Sequence, residues 1–557
     1  MTIASQAERG ADSGVGLPAY RVGYWMGVGL VAAGFFVTRL LPCVDYPQHL
    51  ALSDIARRLQ DPAAPEHAQF QLNYFTYNGL FHFVVATLSS ILPIELAGRL
   101  VVAGSVVATA WAVVALLREL GRPPEYAALF TPALFSFSLG FGFANYVLAT
   151  AIATWALVAI ARGVARPSAG GLAVVAALGL ACGFAHVLAM LVLCLAGLAL
   201  AGELAWRQAT VHALRAAAHG TRISGGARLA RAIARAGLAL APLTVGCLFC
   251  IAVYRRQYEW DPNMYRDPTI EGSAPPVWQK LALFSAYTTD LFRDATDQIL
   301  LWVALAGMVW AVHVARRARR AGGLSLREAS APLVAPFATM VLAYLATPMV
   351  FVGTHLIFPR LGQWVVLGAA LATPRLPPLL AARARVWLPR LGVVVGANAL
   401  LHCALFAWET SDASATIDDL PDGGAATALV WEPATASFRN VVLTHLAGYY
   451  AARKHGTWAF AFARYLSVPV RFKVGSQHSW PPVGWEYDPR NYDPRCPYAR
   501  LFPLVIVKAP STLSRDAAGE AAVRSLVFHD DAPLVTLLSH HGRYWAFDSA
   551  AVPERVP

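Results

Sequence analysis

The chain has 557 residues, of which 57% are hydrophobic and only 14% charged, and its mean hydropathy is +0.48. A soluble domain carries about 25% charged residues, so this composition excludes an ordinary soluble protein and points to a polytopic membrane protein. The net charge of +12 does not argue for nucleic acid, because the arginines flank apolar runs, where they orient membrane helices.

The first 20 residues form a polar tail. The apolar run that follows, "RVGYWMGVGLVAAGFFVTRLL", has no A-x-A site and reads as a retained anchor, not a cleaved signal. Further runs long enough to cross a membrane begin near residues 96, 144, 186, 237, 298, 332, 361 and 387, and shorter ones lie at 126–140 and 170–184. The run 78–93, "NGLFHFVVATLSSILP", is better taken as interfacial, since Asn78, His82 and Pro93 interrupt it and counting it as a span would reverse the sidedness of everything after it. Without it there are about 11 transmembrane helices with the N-terminus cytoplasmic. Arg118, Arg122, Arg162, Arg166, the segment "ALRAAAHGTRISGGARLARAIARAG", the "RRARR" cluster and Arg375 to Arg390 then all fall inside. That arginine-rich segment is read as an orienting cytoplasmic loop, with a contact to lipid headgroups as the competing reading. Most of the seven cysteines sit in apolar segments and imply no disulfide framework.

Three substantial pieces fall outside: residues 43–95, residues 255–297 and everything after about 410. The expected fold is therefore an all-α membrane bundle over residues 21–409, followed by an extracytoplasmic α/β domain over 410–557. In that domain "ATALVWE", "LFPLVIVKA" and "PLVTLL" read as strands and "FRNVVLTHLAGYYAARKHG" as a helix.

Just past the first anchor comes "LPCVDYPQHLALSDIARRLQ". Residues 47–60 predict an amphipathic helix on the membrane surface, opening at Pro47, with Leu50, Ile55 and Leu59 on one side and Arg57 and Arg58 among the polar positions. Asp45 falls at or near its N-cap and His49 one turn on. Two readings stay open on these residues: Asp45 caps the helix, or Asp45 and His49 form a titratable pair facing one cavity.

An N-terminal anchor, then an outer loop opening with an acid inside "PCVDYPQHLA", resembles the GT-C membrane glycosyltransferases. The helix "IELAGRLVVAGSVVATAWAVVALLREL" is similar to the second helix of protein O-mannosyltransferases and aminoarabinose transferases. The resemblance covers the layout of most of the chain. It implies transfer of a sugar from a polyprenyl-phosphate donor to a glycan, lipid or protein acceptor at the outer face of a membrane, expected here to be a bacterial inner membrane. Asp45 is then the general base, assisted by His49. Arg360 in "GTHLIFPRLGQW", with His355, Arg255, Arg256, His82 and Asn145 of "LGFGFANYV", is expected to bind substrate, the arginines opposite the leaving phosphate. For each arginine an interfacial anchor is the competing reading. The family's pattern leads one to expect a second acid, which neither Tyr46 nor Asn145 supplies. A divalent cation, Mg or Mn, held by Asp45, His49, Asp261 and Asp267 is a candidate cofactor.

Two further segments carry weaker signals. "APPVWQKLALFSAYTTDLFRD" is amphipathic and suits a lid over a lipid-linked donor, and "HSWPPVGWEYDPRNYDPRCPYAR" has the aromatic content that stacks on sugar rings. The rival functions are a lipid or solute transporter or flippase, and a non-catalytic GT-C-like assembly protein. Nearly all predicted cores lack ionisable residues, which favours surface chemistry over ion-coupled transport.

Overall fold

The computed structural model describes residues 19–554 except 222, 261–274, 321–332, 351–354, 466, 474–475, 477–480 and 482. The helical part runs α1 (Ala19–Val37), α2 (Tyr46–Arg58), α3 (Leu80–Leu88), α4 (Ile94–Glu119), α5 (Ala144–Ala165), α6 (Ala169–Ala185), α7 (Val187–Ala218), α8 (Gly225–Leu240), α9 (Thr244–Trp260), α10 (Thr296–Arg320), α11 (Val334–Ala346), α12 (Gly362–Ala372) and α13 (Pro378–Glu409). Six stretches are long and apolar enough to cross a membrane: α4, α5, α7, the continuous run Gly225–Gln257, α10 and α13. They mark the chain as an integral membrane protein.

Each of the eleven expected apolar stretches contains helix, but α11 (13 residues) and α12 (11 residues) are shorter than the spans expected near 332 and 361, and one stretch changes type. Residues 126–140 are not one α-helix but a 3-10 helix, Pro124–Leu134, followed by a single turn, Phe137–Gly140. Pro132 inside that stretch lacks the amide an α-helix needs. The doubtful run 78–93 contains only the nine residues of α3, about 14 Å of helix against a hydrocarbon core of about 30 Å. Glycines set the tightest crossing in the bundle. A Cβ on Gly27 of α1 would lie 2.2 Å from the Gly392 oxygen of α13, and one on Gly396 2.3 Å from the Gly27 oxygen, so only glycine permits this approach. All seven cysteines are free.

After α13 the chain changes character. A five-stranded sheet has the order β3 (Thr457–Trp458), β2 (Ala425–Val430), β5 (Leu504–Lys508), β7 (Tyr544–Asp548), β6 (Thr536–His541), with β2 parallel to β3 and β5, and β7 antiparallel to β5 and β6. Its central strands are buried on both faces, in strict alternation. Ala428, Val430, Leu504 and Ile506 join the core shared with the helical bundle. Leu429, Val505 and Val507 join a second core with Trp485, Trp545 and Phe547, closed by Val523, Val527 and Phe528 of a helix over Ala517–Phe528. The period-2 alternation of a strand thus joins two cores through one sheet. The expected helix over "FRNVVLTHLAGYYAARKHG" is shorter than predicted: α14 spans Leu446–Lys454 and ends at His455, which adopts a left-handed conformation (φ 52°).

The first loop is tied into this C-terminal region. β1 (Phe70–Leu72) pairs antiparallel with β4 (Val470–Phe472), Phe70 opposite Phe472. The expectation that α2 lies on the membrane surface with one polar side is corrected: ten of its thirteen residues are buried. The reason is that it is covered from two directions. α14 packs on its start, with Gly448 against Pro47, while the Tyr46 hydroxyl reaches Gly98 of α4. Asp54, on what should have been the polar side, is fully buried between Arg57 (3.0 Å), Arg58 (2.9 Å) and His455 (3.0 Å).

Candidate functional site

Asp45 stands at the N-cap of α2 but its side chain makes no capping hydrogen bond. Its backbone is fixed from the turn before α5, where Val44 N donates to Gly140 O (3.0 Å) and Asp45 N to Phe141 O (2.9 Å). Gly142, at φ +79°, closes that turn; a Cβ there would sit 2.5 Å from Tyr46 N and 2.7 Å from Asp45 N. The backbone of Asp45 is therefore held while its carboxylate stays available, with 18% of the side chain exposed.

His49 lies one turn along α2, its N–H on the Asp45 carbonyl (3.2 Å). Its Nδ1 is 3.0 Å from Nε2 of His82, whose Nδ1 in turn donates to the Asn78 carbonyl (2.9 Å). That chain fixes the tautomers: His82 accepts at Nε2, His49 donates from Nδ1, and His49 Nε2 keeps its lone pair. Burial lowers His49 to about 4, against the opposing pull of Asp45, and lowers His82 well below its ordinary value. Asn145 is buried and accepts from Phe81 N (3.3 Å), so it braces α3 against α5.

Arg360 is also buried, its guanidinium 3.6 Å from the centroid of Phe143. It donates to the carbonyls of Leu356 (3.1 Å) and His355 (3.0 Å), and its Nη1 is 3.2 Å from His186 Nε2. Among the described residues no carboxylate lies within ion-pair distance of it. His186 caps α7, its Nδ1 accepting from Leu188 N (3.1 Å). A neutral ring cannot accept at both nitrogens, so either the cap or the contact with Arg360 is donor to donor.

The structure brings Asp45, His49, His82, Asn145 and Arg360 into one neighbourhood and leaves the others apart. His355 contributes its carbonyl while its side chain is exposed, and Arg255 and Arg256 are exposed near the end of α9, outside every contact described around Asp45. Asp261 and Asp267 lie outside the described residues. Among the described residues no group of three or more His, Cys, Asp and Glu side chains is placed to hold a metal ion. The expected lid segment divides: Trp278 and Leu281 are exposed, while Phe292 is buried against Phe438.

Two neighbours of Asp45 come from the C-terminal region and were not anticipated. His445, at the start of α14, places Nε2 3.4 Å from Asp45 Oδ1 and Nδ1 2.8 Å from Glu486 Oε1. Burial alone would lower His445, but the Glu486 carboxylate and the bond to Asp45 outweigh it and raise the ring to about 10. Burial raises the Glu486 carboxyl, against the pull of His445. Phe462 sits between the two histidines, 6.1 Å from the His49 ring and 5.4 Å from His445, and Tyr487, 65% exposed, stands edge-on to His445 at 6.4 Å. Gln48 holds this wall to α2, accepting from Trp458 Nε1 (2.8 Å) and Phe462 N (3.2 Å) and donating to Phe460 O (3.1 Å). Of the aromatic tail segment expected to stack on sugars, Trp485 is core and Tyr487 faces the site. The sequence signals were faint: His445 falls inside a helix-like run, Glu486 among several acids, and His186 between two apolar runs.

A bundle with an enclosed first-loop helix and a C-terminal sheet domain over it has a known counterpart. The fold is similar to that of ArnT. Two crystal structures of ArnT from Cupriavidus metallidurans match it, one in the apo state (TM-score 0.50, 13% identity, covering 96% of this chain and 98% of that one) and one bound to undecaprenyl phosphate (TM-score 0.51, 12% identity, covering 96% and 99%). At 12–13% identity this likeness shows the fold alone, and that fold agrees with the layout expected from the sequence. No protein-family model and no curated protein matches at the level of sequence.

Proposed function

We propose that this chain is a GT-C-type transferase that moves a sugar from a polyprenyl-phosphate donor to an acceptor hydroxyl at the outer face of the membrane, with Asp45 as general base. The observation that carries the reading is the Asp45 carboxylate, which is fixed through its backbone, partly exposed and not used to cap its own helix. The ArnT structure bound to undecaprenyl phosphate supports the choice of donor class. In this reading the chain crosses the membrane about 11 times, with its arginine-rich loops inside and the sheet domain outside.

The acceptor oxygen attacks the anomeric carbon as the bond from that carbon to the phosphate oxygen breaks. The acceptor proton passes to Asp45, and the electron pair of the broken bond leaves with the polyprenyl phosphate. Negative charge then grows on the phosphate. Arg360, buried with no paired acid among the described residues, supplies donors for that charge, with His186 beside it. His49, neutral and with a lone pair at Nε2, is suited to accept a hydrogen bond from a sugar or acceptor hydroxyl. The described residues do not form a metal set, and no step here passes through a cation.

The test is to supply the purified full-length protein with a panel of undecaprenyl-phosphate-linked hexoses and pentoses and a membrane lipid extract as acceptor, and to measure release of undecaprenyl phosphate. Release from at least one donor, with the sugar recovered on an acceptor, is expected. Movement of donor across sealed vesicles with no release would favour a flippase instead.

A further inference from the structure

Resting on that reading, we propose that Glu486 is the second carboxylate of the site, acting on Asp45 through the His445 ring, so that the C-terminal domain completes a base that the first loop carries alone in sequence. Asp45 comes from the first loop and the other two from the C-terminal region, and they form a chain of contacts: Asp45 Oδ1 to His445 Nε2 at 3.4 Å, His445 Nδ1 to Glu486 Oε1 at 2.8 Å. With a carboxylate at each nitrogen, the ring carries a hydrogen at both.

Burial makes this arrangement unlike an incidental contact. His445 is 3% exposed and Glu486 4%, Glu486 Oε2 has no hydrogen-bond partner, and His445 is the only cationic side chain in ion-pair contact with Glu486 among the described residues. A carboxylate buried for packing alone is unfavourable, and an apolar residue would fill the space at lower cost. The geometry gives it a task. Glu486 fixes the orientation of the ring through a hydrogen bond, and the ring stands in ion-pair contact with Oδ1 of Asp45, on the side away from Oδ2, which receives the acceptor proton. The charged ring also offsets the repulsion that two neighbouring carboxylates would otherwise exert. His445 and Glu486 are thus positioning residues, with no contact to the reacting atoms required of them.

The experiment uses full-length protein in nanodiscs with whichever undecaprenyl-phosphate sugar the donor panel identifies, and reads kcat, donor KM, undecaprenyl phosphate affinity and melting temperature together. Glu486→Gln keeps the shape but not the charge; it is expected to lower kcat roughly tenfold to a hundredfold with donor KM and undecaprenyl phosphate affinity within about twofold. Glu486→Asp, which keeps the charge, is expected to recover part of that loss. His445→Gln should lose at least as much, and adding Glu486→Gln to it should cost nothing more, because the two act as a unit. Wild-type kcat in Glu486→Gln, fully additive losses, or losses that track melting temperature in all variants would overturn the proposal. A wild type that binds undecaprenyl phosphate yet releases it from no donor overturns the functional reading and this role with it. Release by the wild type with an indifferent Glu486→Gln overturns this role alone.

Discussion

Asp45 and His49 were readable from sequence because their message is local: an acid at a helix start and an imidazole one turn later. What the sequence left open was whether Asp45 serves its helix, and the uncapped carboxylate settles that side of the question. Of their neighbours, His82, Asn145 and Arg360 were among the expected residues, whereas His186, His445 and Glu486 could not be read, since they reach the site only through tertiary packing. Two predictions belong to single residues. Arg360→Ala should weaken undecaprenyl phosphate binding about tenfold or more, the effect of removing charge-assisted donors; unchanged affinity by calorimetry would remove Arg360 from the phosphate site. The second concerns pH. His49 is held neutral in the fold, at about 4 against an ordinary 6.5, so between those values the unfolded chain binds the extra proton and stability falls as pH falls. His445 does the reverse: raised to about 10, its stabilisation is complete below its ordinary 6.5 and is lost as pH rises through the raised value. Melting temperature measured from pH 4 to pH 7 should therefore fall less steeply on the acid side in His49→Gln than in the wild type, and equal slopes would contradict the tautomer chain through His82 and Asn78.

Among the elements, α2 shows where periodicity misleads. Leu50, Ile55 and Leu59 gave it one apolar side, and Arg57 and Arg58 implied a wet one, yet the helix is enclosed because Asp54 buries its charge among Arg57, Arg58 and His455 and α14 covers the start. A polar face signals water only when no partner brings complementary charge. The short α14 follows from the same kind of contact, since His445 leaves the helix to join Asp45 and Glu486. The turn at 140–142 is the element most exposed to a single change. Gly142→Ala would place a methyl group 2.5 Å from Tyr46 N in a conformation unfavourable to side chains. A cost of about 1–3 kcal/mol and a fall in kcat are expected, because the same turn fixes the backbone of Asp45. Thermal unfolding and turnover of that variant check both, and a variant as stable and active as wild type would show that the turn does not position the base.

For the molecule as a whole, the apolar runs were legible because hydropathy is a property of contiguous sequence, so every expected stretch contains helix, even where Pro132 changes its type; helix length was less so, since α11 and α12 stop at 13 and 11 residues. The joining of the sheet domain to the bundle was not legible. It depends on alternate residues of β2 and β5 facing two different cores, on the pairing of β1 with β4 and on the docking of α14 against α2. These contacts place the C-terminal domain against the first loop, and they are why Asp45 meets His445 and Glu486 from opposite ends of the chain. The proposed function stands on Asp45 taking the acceptor proton during transfer from a polyprenyl-phosphate sugar. It is tested most directly by turnover of Asp45→Asn beside the wild type, with undecaprenyl phosphate affinity and melting temperature measured on the same samples. A loss of at least about a hundredfold in kcat is expected with the other two unchanged, and turnover within twofold of wild type would remove Asp45 from the role of base.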